Sequence, residues 1–276
     1  YLMSRIITAL VVLPFLIASI LVSWLQPLFV VLAAAALVLG LFEFYVLAKK
    51  RDFKPDAVAG YLGATALFVV YYFNQPGELP DLLLIQLILI VLTAGTMIAA
   101  TLRGAPFEKM LAATGTTILG VLYVVFLGGH LVAVRTGFSQ ALSADLLSFF
   151  FLVIMGADTG AFYVGKTFGK HKLAPAISPG KTWEGVVGGL LASLLMAVLA
   201  HYWFFRELPL KIALPLAAVM TLIGIFGDLT ESALKRGAGA KDAAKILPGH
   251  GGILDRLDSL LFNAPLIYYF GRFYFS

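Results

Sequence analysis

Nine apolar runs follow one another along this chain, at 6–23, 28–48, 57–73, 81–101, 112–134, 145–165, 185–204, 211–230 and 259–275. Each is close to the ~20 residues that a helix needs to cross a hydrocarbon layer. A chain in lipid has to satisfy its backbone N–H and C=O groups internally, so it forms helices or a closed barrel. The runs show no period-2 alternation, which argues against the barrel. An all-α integral membrane protein of about nine transmembrane helices is therefore expected. Charge content agrees, at 13% against about 25% in soluble domains. The first run is followed directly by a second and reads as a span rather than a cleaved signal. There is no cysteine, so disulfides and thiolate metal sites are excluded. The net charge of +5 is not by itself a nucleic-acid signature, and no nucleic-acid partner is expected.

Basic residues orient the helices, because cytoplasmic segments carry the excess of Lys and Arg. With the N-terminus in the cytoplasm and the C-terminus outside, all but four of the 20 basic residues face inward; the four are Arg135, Arg206, Lys211 and Arg272. Residues 1–135 then form lipid-facing scaffold helices. Residues 136–276 hold further helices and two long cytoplasmic loops, 166–184 and 231–258. The only sizeable polar surface faces the cytoplasm, where nucleotides are found.

Ionisable residues inside spans are costly and usually serve a purpose. Glu43, Asp158, Glu184 and Asp228 fall in the cytoplasmic portions of their helices and could converge on one cavity. The plainer alternative is that each reaches headgroup water. His130 and His201 fall near the outer side and read as structural. Asp228, Ser232 and Lys235 stand at i, i+4 and i+7, so they share a face if their helix continues past the membrane. That face offers a metal ligand, a hydroxyl and a phosphate-binding cation. A helix-end ion pair of Asp228 or Glu231 with Lys235 would explain the spacing too.

Asp255 and Asp258 stand at i, i+3 ahead of the last run, after Gly249-His250-Gly251-Gly252. Glycines before a helix N-terminus let an anion approach the backbone, which marks Gly251 and Gly252, with His250 as a donor between them. Lys241 and Asp242 lie in the same loop. Paired carboxylates suit a hard cation such as Mg²⁺, and Lys and Arg suit phosphate oxygens. In the other loop, Ser178-Pro-Gly-Lys-Thr-Trp-Glu184 places a Pro-Gly turn beside Ser178, Lys181 and Thr182, which can contact phosphate or ribose; Trp183 reads as an interfacial anchor. Gly160–Thr167 matches the P-loop pattern but lies in a span with no strand before it, so a P-loop is rejected.

Asp158–Lys166, Ser178–Gly185 and Ser232–Asp258 together closely resemble the signature segments of the phosphatidate cytidylyltransferases (CDP-diacylglycerol synthases). The likeness is specific over 158–258, and Ala243-Ala244 departs from the common pattern. It implies an all-helical, multi-pass inner-membrane protein, a homodimer. It implies transfer of CMP from CTP to phosphatidic acid, giving CDP-diacylglycerol and pyrophosphate. It also implies Mg²⁺, alone or with a second cation, on Asp228 and Asp255. Lys235, Arg236, Lys241, His250 and Arg256 would act on the transferring and leaving phosphates. Ser178, Lys181, Thr182, Ser232, Gly251 and Gly252 would hold substrate, with Asp158, Glu184, Asp242 and Asp258 nearby. The rival readings are a CTP-dependent polyprenol or lipid kinase, which would release CDP, and a transporter. A transporter would carry its polar site near the midplane.

Overall fold

The computed structural model describes residues 13–73, 81–104, 106–240 and 252–275. Their order is α1 (13–21), α2 (Gln26–Lys49), α3 (Ala57–Tyr72), α4 (Leu82–Arg103), α5 (Met110–Gly120), α6 (Leu127–Thr136), α7 (Gln140–Phe168), β1 (Lys172–Ala174), β2 (Ser178–Thr182), α8 (Trp183–Trp203), α9 (Leu210–Gly237) and α10 (Leu254–Phe275). A π-helical turn, Val121–Phe126, joins α5 to α6 without a break. Among the described residues six helices are long and apolar enough to cross a membrane. Three others fall short, α1 with nine described residues among them. α3 has only 16 residues, and α10 carries Asp255, Arg256, Asp258 and Arg272.

Loop 166–184 is more ordered than expected of a connecting loop. α7 runs on to Phe168, and the next residues form an antiparallel hairpin pairing Lys172 with Thr182 and Ala174 with Ser178. Thr182 then starts α8, its hydroxyl accepting from the Gly185 N–H at 3.1 Å. A Thr N-cap of this kind satisfies one orphan donor of the first turn.

Glycines set the packing of α7 on α8. A Cβ on Gly160 would meet the Gly188 carbonyl oxygen at 2.6 Å and Ala192 Cβ at 2.5 Å. One on Gly188 would meet Val164 Cβ at 2.4 Å, and one on Gly189 the Ala157 oxygen at 2.9 Å. Small residues let helix backbones touch in a membrane, where packing replaces the hydrophobic drive. The P-loop-like stretch is part of this seam, helical throughout. Gly160→Val should therefore destabilise by about 3 kcal/mol or more, since the obstacle is backbone rather than a movable side chain. Gly95→Ala in α4 has open space around it and should be neutral or stabilising by up to about 1 kcal/mol. Thermal melts of the two variants in detergent check the contrast.

Two apolar clusters fill the interior. One gathers α6, α7, α8 and α9 around Phe149, Phe150, Val153 and Met220. The other gathers α2, α3, α4 and the π turn around Leu41, Leu67 and Val124. α10 belongs to both, giving Leu254 and Leu261 to the second and Ile267 and Tyr268 to the first. Of the four basic residues assigned to the outer side, Arg135 and Arg272 are buried, with Arg135 Nε donating to the Ser19 oxygen at 3.2 Å.

Candidate active site

α9 is the backbone of the site. It continues well past the apolar run ending at 230, so Asp228, Ser232 and Lys235 do share one face. Gly239, with φ of 66°, supports the left-handed turn that closes the helix. Ser232 Oγ donates to Asp228 Oδ1 at 3.3 Å. Lys235 Nζ lies 2.6 Å from Glu231 Oε2 and 2.6 Å from Asp255 Oδ1, tying α9 to the first turn of α10. The helix-end pair with Glu231 and a longer-range pair with Asp255 are thus both present. Glu231 is 1% exposed and Lys235 15% by side chain, so this triad is shielded from water.

The hairpin supplies a second cation. Lys181 Nζ sits 2.7 Å from Asp228 Oδ2, and Arg236 Nε donates to the Ile177 oxygen at 3.2 Å. These two contacts dock the β-hairpin on the end of α9. The carboxyls of Asp158 on α7 and Asp258 on α10 are within electrostatic reach of Asp228, of Lys181 and of each other. Asp158 also lines a narrow cleft between α7, α8, α9 and α10, with Ile154, Met220, Thr221 and Ser259. Of the four acids expected in the cytoplasmic ends of spans, Asp158 and Asp228 converge here.

Glu184 and Glu43 do other work. Glu184 holds the base of the hairpin, accepting from the His171 N–H at 3.2 Å and lying 2.6 Å from His171 Nδ1. Glu43 does not reach headgroup water: it is 0% exposed. Its carboxylate accepts the Ile253 N–H at 2.9 Å and the Leu254 N–H at 2.8 Å, across 210 residues of chain. The anion at the start of α10 is the protein's own. The Gly252 N–H is likewise taken, donating to Asp255 Oδ2 at 2.8 Å. Gly252 has a steric duty, because a Cβ there would meet Glu43 Oε2 at 2.5 Å. Nothing in local periodicity could have shown this contact; the missing local cap at 252–253 is the one signal.

The remaining expected residues divide. Ser178 is half-buried at the start of β2, and Arg256 is exposed on α10. Thr182 is buried, its hydroxyl spent on the α8 cap. Lys241, Asp242, His250 and Gly251 lie outside the described residues. His130 is buried among Tyr71, Phe126, Tyr268 and Tyr269, its Nδ1 2.8 Å from the Phe126 oxygen. His201 Nδ1 is 2.8 Å from the Leu208 oxygen. Sequence reasoning missed two residues of the N-terminal half. Arg51 Nε donates to the carbonyl of Gly237, the last residue of α9. Tyr123, in the π turn, is buried within electrostatic reach of Glu231, Asp258, Asp228 and Asp255.

The arrangement suits a cation and a polyphosphate. Among the described residues Asp158, Asp228 and Asp258 lie close enough to feel one another and Lys181, so acids gather here around a cation. Among the described residues no trio of acids or histidines is close enough to hold a metal unaided. Mg²⁺ asks for less, one or two carboxylates completed by phosphate oxygens and water. Asp228 fits that part.

The model of the cytidylyltransferase family matches residues 3–274. The chain is 45% identical over 131 residues to the phosphatidate cytidylyltransferase of Haemophilus influenzae, which covers 45% of each protein. It is 49% identical over 117 residues to the Staphylococcus aureus (strain COL) protein of that name, covering 42% of this chain and 45% of the relative. It is 48% identical over 119 residues to the one from Staphylococcus saprophyticus, covering 43% and 46%. These matches span a little under half the length of each relative. Because the family match takes in the scaffold helices as well as the polar cluster at the end of α9, the chain belongs to the cytidylyltransferase family.

Proposed function

We propose that this protein transfers CMP from CTP to phosphatidic acid, giving CDP-diacylglycerol and pyrophosphate. Family membership and the names of the relatives support the reaction. The observation that carries it to particular residues is the Lys181–Asp228 contact, which brings the basic hairpin and the acids of α9 and α10 to one place. A phosphatidate phosphate oxygen attacks the α-phosphorus of CTP. The new P–O bond forms as the bond to the β-phosphate bridging oxygen breaks, and pyrophosphate leaves with the electron pair. The nucleophile is already anionic, so alignment and charge are the obstacles, not deprotonation.

Asp228 and Asp255 would hold Mg²⁺, which when bound would supply charge neutralisation for the triphosphate. Lys181 and Lys235, now paired with those two acids, turn to phosphate oxygens. Arg236 and Arg256 add positive charge where the transition state and leaving group are most negative. Ser178 and Ser232 hold phosphate or ribose hydroxyls. The cleft bordered by Asp158 receives the lipid side, and the acyl chains remain in the bilayer. The test is product analysis with purified protein, Mg²⁺, phosphatidic acid and α-labelled CTP. Label in lipid and release of pyrophosphate are expected; CDP release with unlabelled lipid would identify a lipid kinase.

The topology we propose has nine spans, adding α1, α3 and α10 to the six long apolar helices, with the N-terminus and the site in the cytoplasm. The protein works in the inner membrane as a homodimer. Single cysteines at Ser178 and Ala238 should react with an impermeant thiol reagent from the cytoplasmic face only, and one at Ser139, the N-cap of α7, from the outside only. The reverse pattern would put the site in a compartment without nucleotide.

A further inference from the structure

The first turn of α10 has no cap of its own. Helix N-terminal N–H groups need acceptors, and the residues that would ordinarily provide one here are Gly252 and Ile253. Glu43 on α2 fills the gap with both carboxylate oxygens, one on each of two successive N–H groups. The fork fixes the rotation and depth of this turn, as a single acceptor would not. Asp255 stands in the same turn, one oxygen on the Gly252 N–H at 2.8 Å and the other on Lys235 at 2.6 Å. Asp258 follows one turn later.

We infer that Glu43 is a positioning residue for the reaction: from the N-terminal half of the chain it sets where Asp255 stands. The inference rests on the proposed role of Asp255 in holding Mg²⁺. Glu43 is completely buried, two backbone donors at the helix start face it with the Asp255 carboxylate close by, and the space beside it is kept open by a glycine. A carboxylate is suited to this place because two N–H donors and the positive end of a helix all face it. Glutamine presents one acceptor and one donor, so at least one of the two N–H groups would face a hydrogen rather than an oxygen.

The test compares Glu43→Gln with Gly252→Ala, which pushes on the same carboxylate from the other side. Outer-shell changes of this kind cost roughly 10- to 100-fold in metal affinity or activity. Each variant should raise half-saturating Mg²⁺ in the α-label assay by about that factor. Amide hydrogen exchange at 252–256, which needs no turnover, should speed up in both. The double variant should be no worse than the more damaged single one, because both act on one contact. Unchanged Mg²⁺ dependence and turnover, whatever happened to the melting temperature, would leave Glu43 a purely structural cap and overturn the inference. If Glu43→Gln does not fold, Glu43→Asp, which keeps the charge and shortens the reach, carries the same comparison. Failure of the wild-type protein to label lipid would count against the reaction itself, while the exchange measurement still reports on the cap.

Discussion

Asp228→Asn should lower CMP transfer by roughly 10²- to 10³-fold, the size of effect seen when one charge-stabilising group leaves a phosphoryl or acyl transfer site. The fold should be nearly indifferent. The Asp228 side chain is 39% exposed and its partner Lys181 22%, so the amine left behind can turn to water. An ion pair of this exposure contributes about 1 kcal/mol or less. The same separation of activity from stability is not expected at Asp255, whose two oxygens hold Lys235 and the Gly252 N–H. Turnover at saturating Mg²⁺ and a melting curve for each variant make the comparison. Wild-type-like turnover of Asp228→Asn would remove that residue from the proposed metal site.

Lys235→Met should damage both properties. The ammonium lies 2.6 Å from each of two shielded acids, Glu231 and Asp255. Deleting it takes the ammonium away from the shielded Asp255 carboxylate beside Glu231, whose own carboxyl burial pushes up to about 8, and removing one partner of a buried pair costs about 3–5 kcal/mol. The informative measurement is the double variant Lys235→Met/Glu231→Gln. Replacing the second acid with a neutral amide that can donate to Asp255 should restore part of the melting temperature. Transfer should stay low, because the cation meant for phosphate oxygens is still missing. Recovery of activity along with stability would mean that Lys235 serves the fold alone.

Much of this site could be read from spacing, and the reason is geometric. Asp228, Ser232 and Lys235 are neighbours because a helix repeats every 3.6 residues, and the only structural question was whether α9 outlasts the membrane. Rejection of the P-loop rested on the same kind of argument, since Gly160–Thr167 has no strand in front of it. The hairpin was not foreseen. Its strands have 3 and 5 residues, too few for a period to declare itself, and a His171–Glu184 clasp holds it rather than any apolar pattern. The Glu43 cap was out of reach for a different reason. Its alternative, a carboxylate near a helix end reaching water, has the same local sequence, and only the packing of α2 beside α10 separates the two. The expected Gly251-Gly252 anion site shows the same limit. Glycine spacing announces that something approaches the backbone closely, but not that Glu43 is what approaches Gly252.

The glycine seam between α7 and α8 has a mechanical consequence. Where backbone meets backbone, as at Gly160 on Gly188 and Gly189 on Ala157, few side-chain rotamers are left to absorb displacement, so these two helices form a stiff wall. The cleft beside Asp158 has it for one side and α9 and α10 for the other. Each of the latter is interrupted by an internal proline, Pro215 and Pro265, and so lacks a rung of its hydrogen-bond ladder. Compliance is therefore one-sided. Any widening of the cleft would come from bending of its proline-bearing wall, while the wall that bears the hairpin, and Lys181 with it, keeps its shape.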